Sequence, residues 1–234
     1  MKRIVFVLLI SIISLSGCQT AKQILDSATT GTSGSLSNDD IVQGLKEALR
    51  VGTDSSTKKL SNLNGFFGDA AIKILMPPEA LKVEKTLRDV GFGSLVDKAI
   101  LSMNRGAEDA TKYAGTIFWN AIKQMTVTDA LGILRGGNFA ATDYLKRTTT
   151  AQLTQAFRPV IERSLANVNA TKYWSDIFST YNRFSSNPVN TDLTGYVTDK
   201  ALAGLFYHIS LQEQQIRTNP VARVTDILKR VFGS

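Results

Sequence analysis

The residue whose neighbours most clearly assign it a chemistry is Cys18, the single cysteine among 234 residues. Lys2 and Arg3 form a short basic region. Ile4 to Leu15 is apolar apart from Ser11 and Ser14, and Leu15-Ser16-Gly17-Cys18 follows at once. The apolar run is far shorter than the roughly 20 residues needed to cross a bilayer, so residues 1–17 read as a secretory signal. The four residues ending at Cys18 look like a bacterial lipobox, in which small side chains open the backbone to the peptidase and the thiol receives a diacylglyceryl group. Each buried methylene contributes about 0.8 kcal/mol and two lipid signals suffice for stable attachment, so the expected partner of the N-terminus is a membrane. The residue after the cysteine is Gln19 rather than aspartate. In a cell with two membranes this predicts the periplasmic side of the outer membrane.

Few other residues have the types and spacing for catalysis. One cysteine cannot make an internal disulfide, and one cysteine with one histidine cannot build a His/Cys zinc site. No Gly-x-Ser-x-Gly elbow and no His-Glu-x-x-His helix occurs. His208 sits at the edge of an apolar helical face, about 60° round from Leu205, where it is either a general base under a pocket or a core-boundary histidine held by a hydrogen bond. Gln212 lies between Ile209 and Ile216 on that face, and its amide needs partners or a ligand. Arg105, Glu108 and Asp109 share one helix and read as an ion-pair network rather than a calcium site. Gly136-Gly137 lacks the context of a phosphate loop and reads as a helix stop. No metal or cofactor is expected.

The chain carries 27 basic and 20 acidic side chains. Part of the surplus gathers at the C-terminus as Arg217, Arg223, Lys229 and Arg230, with Arg223 and Arg230 seven residues apart on one predicted helix face. Such a face suits anionic headgroups, an acidic partner or simply solvent; nucleic acid is not expected after export. The aromatics Trp119, Tyr173, Trp174, Phe178, Tyr181 and Phe184 are spaced to be core or to line an apolar pocket.

The elements that must position these residues are helical almost throughout. Residues 18–36 are rich in Ser, Thr and Gly and read as a flexible tether, leaving 37–234 as the globular domain. Ile41, Leu45 and Leu49 recur at four-residue spacing in a helix that runs toward Leu60 and Leu63. Residues 71–76 are a short apolar piece, extended or a single β-strand, before Pro77-Pro78. Further helices are predicted around Val83 and Leu87, from Leu95 to Ala110, from Ala114 to Met125, and after Thr126, whose Asp129 completes a capping box. Ala140 to Arg147 and Gln152 to Val168 read as two helices with a kink at Pro159, followed by an aromatic helix over 173–184. Leu193 to Ile216 forms a long amphipathic helix. A last helix starts at Pro220 behind Asn219 and carries Val221, Val224, Leu228, Val231 and Phe232 as its buried stripe. This predicts an all-α fold, a single helical domain of about nine or ten helices.

Several separated segments, Leu45-Lys46-Glu47-Ala48-Leu49, Ala121-Ile122-Lys123-Gln124-Met125, Ile133-Leu134-Arg135-Gly136-Gly137, Lys200-Ala201-Leu202-Ala203-Gly204-Leu205-Phe206 and Thr225-Asp226-Ile227-Leu228-Lys229, resemble the bacterial lipoprotein family catalogued as domain-of-unknown-function family 4197. The resemblance runs from about Leu36 to Phe232. It implies an exported, largely helical protein and supplies no activity, cofactor or catalytic residue. The expectation is a membrane-anchored binding or scaffolding module of the cell envelope. The alternatives are a binder of lipid or small apolar ligands with an inter-helix cavity beside His208 and Gln212, and an envelope enzyme with an unrecognised site. Cys18→Ser should block processing or release the chain from membranes. Fractionation and radiolabelled fatty acid would read this out, and unchanged attachment would overturn the anchor.

Overall fold

The computed structural model describes residues 37–186 and 188–232. Cys18, the signal and the tether lie outside them. Helix α1 (Asn38–Leu60) opens on a capping box, the Ser37 hydroxyl accepting from the Asp40 N–H at 3.1 Å and the Asp40 carboxylate accepting from the Ser37 N–H at 3.2 Å. The helix stops at Leu60, short of Leu63. Residues 61–68 fold into turns instead, with Asn64 at a φ of 66°. After a non-helical stretch and a 3₁₀ turn at Pro78–Ala80 come α2 (Leu81–Asp89) and α3 (Gly93–Thr111). Gly91, with φ at 92°, makes the bend between them. Then follow α4 (Ala114–Gln124), α5 (Val127–Arg135), α6 (Ala140–Ala166), α7 (Ala170–Asn182), α8 (Leu193–Thr218), a second 3₁₀ turn at Pro220–Ala222, and α9 (Asp226–Phe232). The described residues form a single all-α domain without a strand.

Helix α6 is one continuous element where two were expected. Thr148, Thr149 and Thr150 are poor helix formers in succession, but their hydroxyls donate back to the carbonyls of Tyr144, Leu145 and Lys146. Pro159 removes the N–H that would meet the Gln155 carbonyl, yet both residues are exposed, so water can serve that carbonyl. The uninterrupted inner stripe, Leu145, Thr149, Leu153, Phe157, Ile161 and Leu165, becomes the spine of the core. Helices α3 and α8 pack on it, and α1 packs on α8. The α3–α6 approach is close enough for Ser102 and Ser164 to exchange hydroxyl-to-carbonyl bonds at 2.6 and 3.1 Å.

The end of the chain also departs from expectation. Pro220 starts only a 3₁₀ turn, so Val221 (85 % exposed) and Val224 (65 % exposed) fall outside the buried stripe, while Leu228 and Val231 are buried. Asn219 still caps, accepting from the Val221 N–H at 3.0 Å. The 71–76 piece is non-helical from Lys73 to Pro77 and forms no strand. A side chain takes the place of a neighbouring strand: Asn104 of α3 accepts from the Ile74 N–H at 2.9 Å and donates to the Ile74 carbonyl at 2.8 Å. Asn104 is 0 % exposed, so truncation leaves two buried main-chain groups unmet. Asn104→Ala should therefore lower unfolding free energy by about 2–4 kcal/mol, visible as an earlier urea midpoint at unchanged slope. An unshifted midpoint would show that the latch is idle.

Candidate functional site

Three buried polar clusters and an apolar cleft stand out among the described residues as places where chemistry could concentrate. In the first cluster His208 of α8, 4 % exposed, places Nε2 at 3.0 Å from Asp69 Oδ2. A carboxylate only accepts, so the ring proton sits on Nε2. Asp69 also accepts from the Ala71 N–H at 3.1 Å and from Lys59 at 3.3 Å. Burial pushes the His208 pKa down, with the nearby Lys59 charge adding to it and Asp69 only partly opposing. Burial raises that of Asp69, but the bonds from Ala71, Lys59 and His208 outweigh it and leave the carboxyl below its usual range. The Tyr207 ring stands edge-on to the imidazole. His208 is enclosed and does not line the void beneath α1, α8 and α9. It pins the 61–72 turns to α8.

Gln212, one turn on, is half-buried, and its Cβ fills the space opposite Gly52 of α1, where an added Cβ would lie 3.4 Å away. The adjoining void beneath α1, α8 and α9 measures about 30 Å³, enough for about one water, and Glu213 rather than Gln212 faces it. Glu213 is the residue that sequence reasoning missed. Its carboxylate accepts from the Ala141 N–H (3.0 Å), the Thr142 N–H (2.8 Å) and the Thr142 hydroxyl (2.8 Å) at the start of α6, and from Arg217 Nε at 2.9 Å. A glutamate at i−4 from an arginine was the available signal, but nothing local tells which helix N-terminus it will cap. Glu108 acts likewise on α3. It accepts from the N–H groups of Phe66 and Phe67 at 3.1 Å and pairs with Arg105, which also donates to Asn64 at 2.8 Å. Asp109 turns outward to Lys112.

The C-terminal cations do not form one face. Arg217 donates to the Ile133 carbonyl at 3.0 Å besides pairing with Glu213. Arg223 lies ahead of α9, so the helical spacing to Arg230 does not apply, and its guanidinium caps the end of α8 through the Ile216 and Arg217 carbonyls at 3.1 and 3.0 Å. Lys229 pairs with Asp226, and Arg230 reaches Asp40 in the first turn of α1 at 3.3 Å.

The apolar cleft lies between α2, α3 and α7 and holds about 180 Å³. Val83 and Leu87 of α2, Leu95, Val96 and Ala99 of α3, and Tyr173, Trp174, Ile177 and Phe178 of α7 form its walls. Glu84 is its one charged lining residue and is paired with Arg88 at 2.9 Å; Arg88 in turn holds Asp97 at 2.8 Å. The Trp174 indole N–H is already spent on the Asn190 carbonyl. No residue of α2 is fully buried, and Leu95, Tyr173 and Ile177 remain between 39 and 46 % exposed at the edge of the cleft. Of the aromatics singled out by spacing, Tyr173, Trp174 and Phe178 meet here, whereas Trp119 sits exposed on α4 and Phe184 is 88 % exposed. Among the described residues no three His, Cys, Asp or Glu side chains gather as a metal site, and no helix is long and apolar enough to cross a membrane.

Fold and site together define an all-α domain whose polar clusters tie its own loops and helix ends and which carries an apolar-walled cleft of small-ligand size at its edge. The chain belongs to the family described as protein of unknown function, DUF4197, which it matches over residues 35–233. No curated protein and no solved structure matches it.

The buried imidazole carries a pH dependence. A histidine whose pKa is lower folded than unfolded takes its proton first in the unfolded chain, so stability should fall as pH drops below the ordinary 6.5 and level off once the folded pKa is passed. The Asp69 contribution is lost separately, below 3.8. Denaturant midpoints should decline between neutrality and about pH 5, and His208→Gln should flatten that segment alone. An equal slope in both proteins would remove His208 as its source.

Proposed function

We propose that this chain is a non-catalytic binding module, exported and held at a membrane through Cys18, and that its ligand is a small apolar molecule or part of a lipid lodged between α2, α3 and α7. The observation that carries the reading is the cleft itself. Its 180 Å³ is comparable with apolar cavities that take up a benzene-sized guest, its walls are hydrocarbon and aromatic, and its single carboxylate is neutralised by an arginine. Burial of the ligand's apolar surface supplies the driving force, at about 25 cal/mol per Å². The helices flanking the cleft suit the task. Helix α2 is short, bounded by Pro77-Pro78 and Gly91, and leaves no residue fully enclosed, so it can adjust to a guest without disturbing α6 and α8.

The polar clusters support a binding role over a catalytic one. His208, the usual candidate for a general base, is enclosed and spends its Nε2 proton on Asp69. Of the C-terminal cations, Arg217 is engaged by Glu213 and the Ile133 carbonyl and Arg223 by the carbonyls at the end of α8, which leaves less of their charge for an anionic headgroup or an acidic partner. A photoreactive acyl probe applied to membranes containing the full chain should crosslink preferentially to Leu81–Asp89 and Ala170–Asn182, mapped by mass spectrometry. Ala99→Trp fills the cleft from α3 and should cut that labelling about ten-fold or more while leaving the helical spectrum unchanged. Labelling spread evenly over the surface, or indifferent to Ala99→Trp, would sink the reading.

A further inference from the structure

A second groove, of about 440 Å³, runs between the Lys73–Pro77 stretch and α8, away from the apolar cleft. Residues 71–75 line it in succession on one side, and Tyr196, Lys200, Gly204 and Tyr207 on the other. The main chain there has an open edge. Ile74 gives both its N–H and its carbonyl to Asn104. In an extended chain the two groups of one residue point to the same side and those of its neighbours to the other, so Lys73 and Leu75 turn theirs away from Asn104. The Tyr196 hydroxyl fixes where that side faces, because it lines the groove and donates to the Leu75 carbonyl at 3.1 Å. The Lys73 N–H is taken by the Asp69 carbonyl at 2.8 Å. The Lys73 carbonyl and the Leu75 N–H have no hydrogen-bond partner among the described residues. An acceptor and a donor straddling one residue are what a parallel strand fills with a single residue placed opposite Ile74.

The side chains specify charge. Lys73 and Lys200 are the only charged residues in the lining, and neither ammonium has a carboxylate partner among the described residues. Both are held over aromatic rings instead, Lys73 at 3.9 Å from the Phe67 centroid and Lys200 at 5.6 Å from that of Tyr196. The acids nearest in sequence are placed elsewhere: Asp69 is occupied by His208 and Lys59, and Asp199 lines the next groove along α8. We infer that this groove binds an extended acidic segment of a partner polypeptide by strand addition, with Lys73 and Leu75 supplying main-chain bonds and Lys73 and Lys200 the charge.

The inference is independent of the ligand of the apolar cleft. Its test uses the purified full chain and a fluorescein-labelled hexapeptide of alternating valine and glutamate, read by anisotropy. Saturable binding that weakens with added salt is expected. Lys73→Glu with Lys200→Glu should weaken it about ten-fold or more. N-methylation of the peptide's central amides should weaken it similarly, and Leu75→Pro, which removes the free N–H while keeping an extended chain, should do the same. Lys200→Glu alone, at an exposed helical position, keeps the test usable if the double variant does not fold, with a loss of a few-fold. No saturable binding, equal binding of a valine–lysine peptide, or indifference to N-methylation would overturn the inference.

Discussion

A long connection between two helices brings main-chain groups into the interior that no helix can satisfy, and α3 meets that demand from a single turn and a half of side chains. Asn104 takes both groups of Ile74, Glu108 takes the N–H groups of Phe66 and Phe67, and Arg105 ties Glu108 to Asn64. The apolar content follows from this arrangement. Once the turns of residues 61–68 are held, Phe66 is driven to 0 % exposure against Gly204, where even a Cβ would come within 2.8 Å of its ring. A buried carboxylate is costly unless its oxygens are filled, and here each is filled by main-chain donors plus an arginine three or four residues away. Helix α8 repeats the device, Glu213 with Arg217 holding the first turn of α6 and the Ile133 carbonyl at the end of α5. Two helices thus each carry an acid that serves another segment, and both pack on the apolar stripe of α6.

That economy explains which parts of the structure could be read in advance. Periodicity locates almost every helix because most of them bury one stripe, and the box at Thr126 and Asp129 forms as read, with bonds of 3.1 and 3.0 Å. The failures are those where a side-chain bond to the main chain decides the course of the backbone. Three consecutive threonines look like a break until their hydroxyls are seen to bond back into the same helix. Pro220 looks like the first residue of a helix until Arg223 is seen to hold the preceding one closed. Spacing could mark Arg217 and Arg223 as cations, but not that their donors would be spent on carbonyls. The site was legible only in part: the aromatic spacing of α7 pointed to the cleft, whereas His208 is enclosed against Asp69 and Gln212 is half-buried opposite Gly52.

Stability and accommodation are therefore separated in space. The satisfied clusters lie on α3 and α8, where Asn104 and Glu108 hold the connection after α1 and Glu213 holds the first turn of α6, and all three are at most 8 % exposed. The cleft lies at the margin, where α2 contributes exposed and half-buried residues and where its main polar ties, Glu84–Arg88 and Arg88–Asp97, are solvent-facing. Exposed pairs of that kind contribute about 0–1 kcal/mol each, so rearranging them for a guest costs little compared with opening the core. A ligand that fills the cleft gains the hydrocarbon contacts that α2 lacks, and binding would order the margin more than it changes the centre.

The same separation sets what a partner can reach. On the α8 side the Lys73 carbonyl and the Leu75 N–H stay open, while Asn104, Asp69 and Tyr196 occupy both groups of Ile74, the Lys73 N–H and the Leu75 carbonyl. An edge this short cannot template a growing sheet, which needs a run of unpaired groups, and the lysines beside it oppose stacking of further copies. What remains is room for one residue's pair of main-chain bonds with a charge preference around it, a surface for selective and reversible contact rather than for assembly.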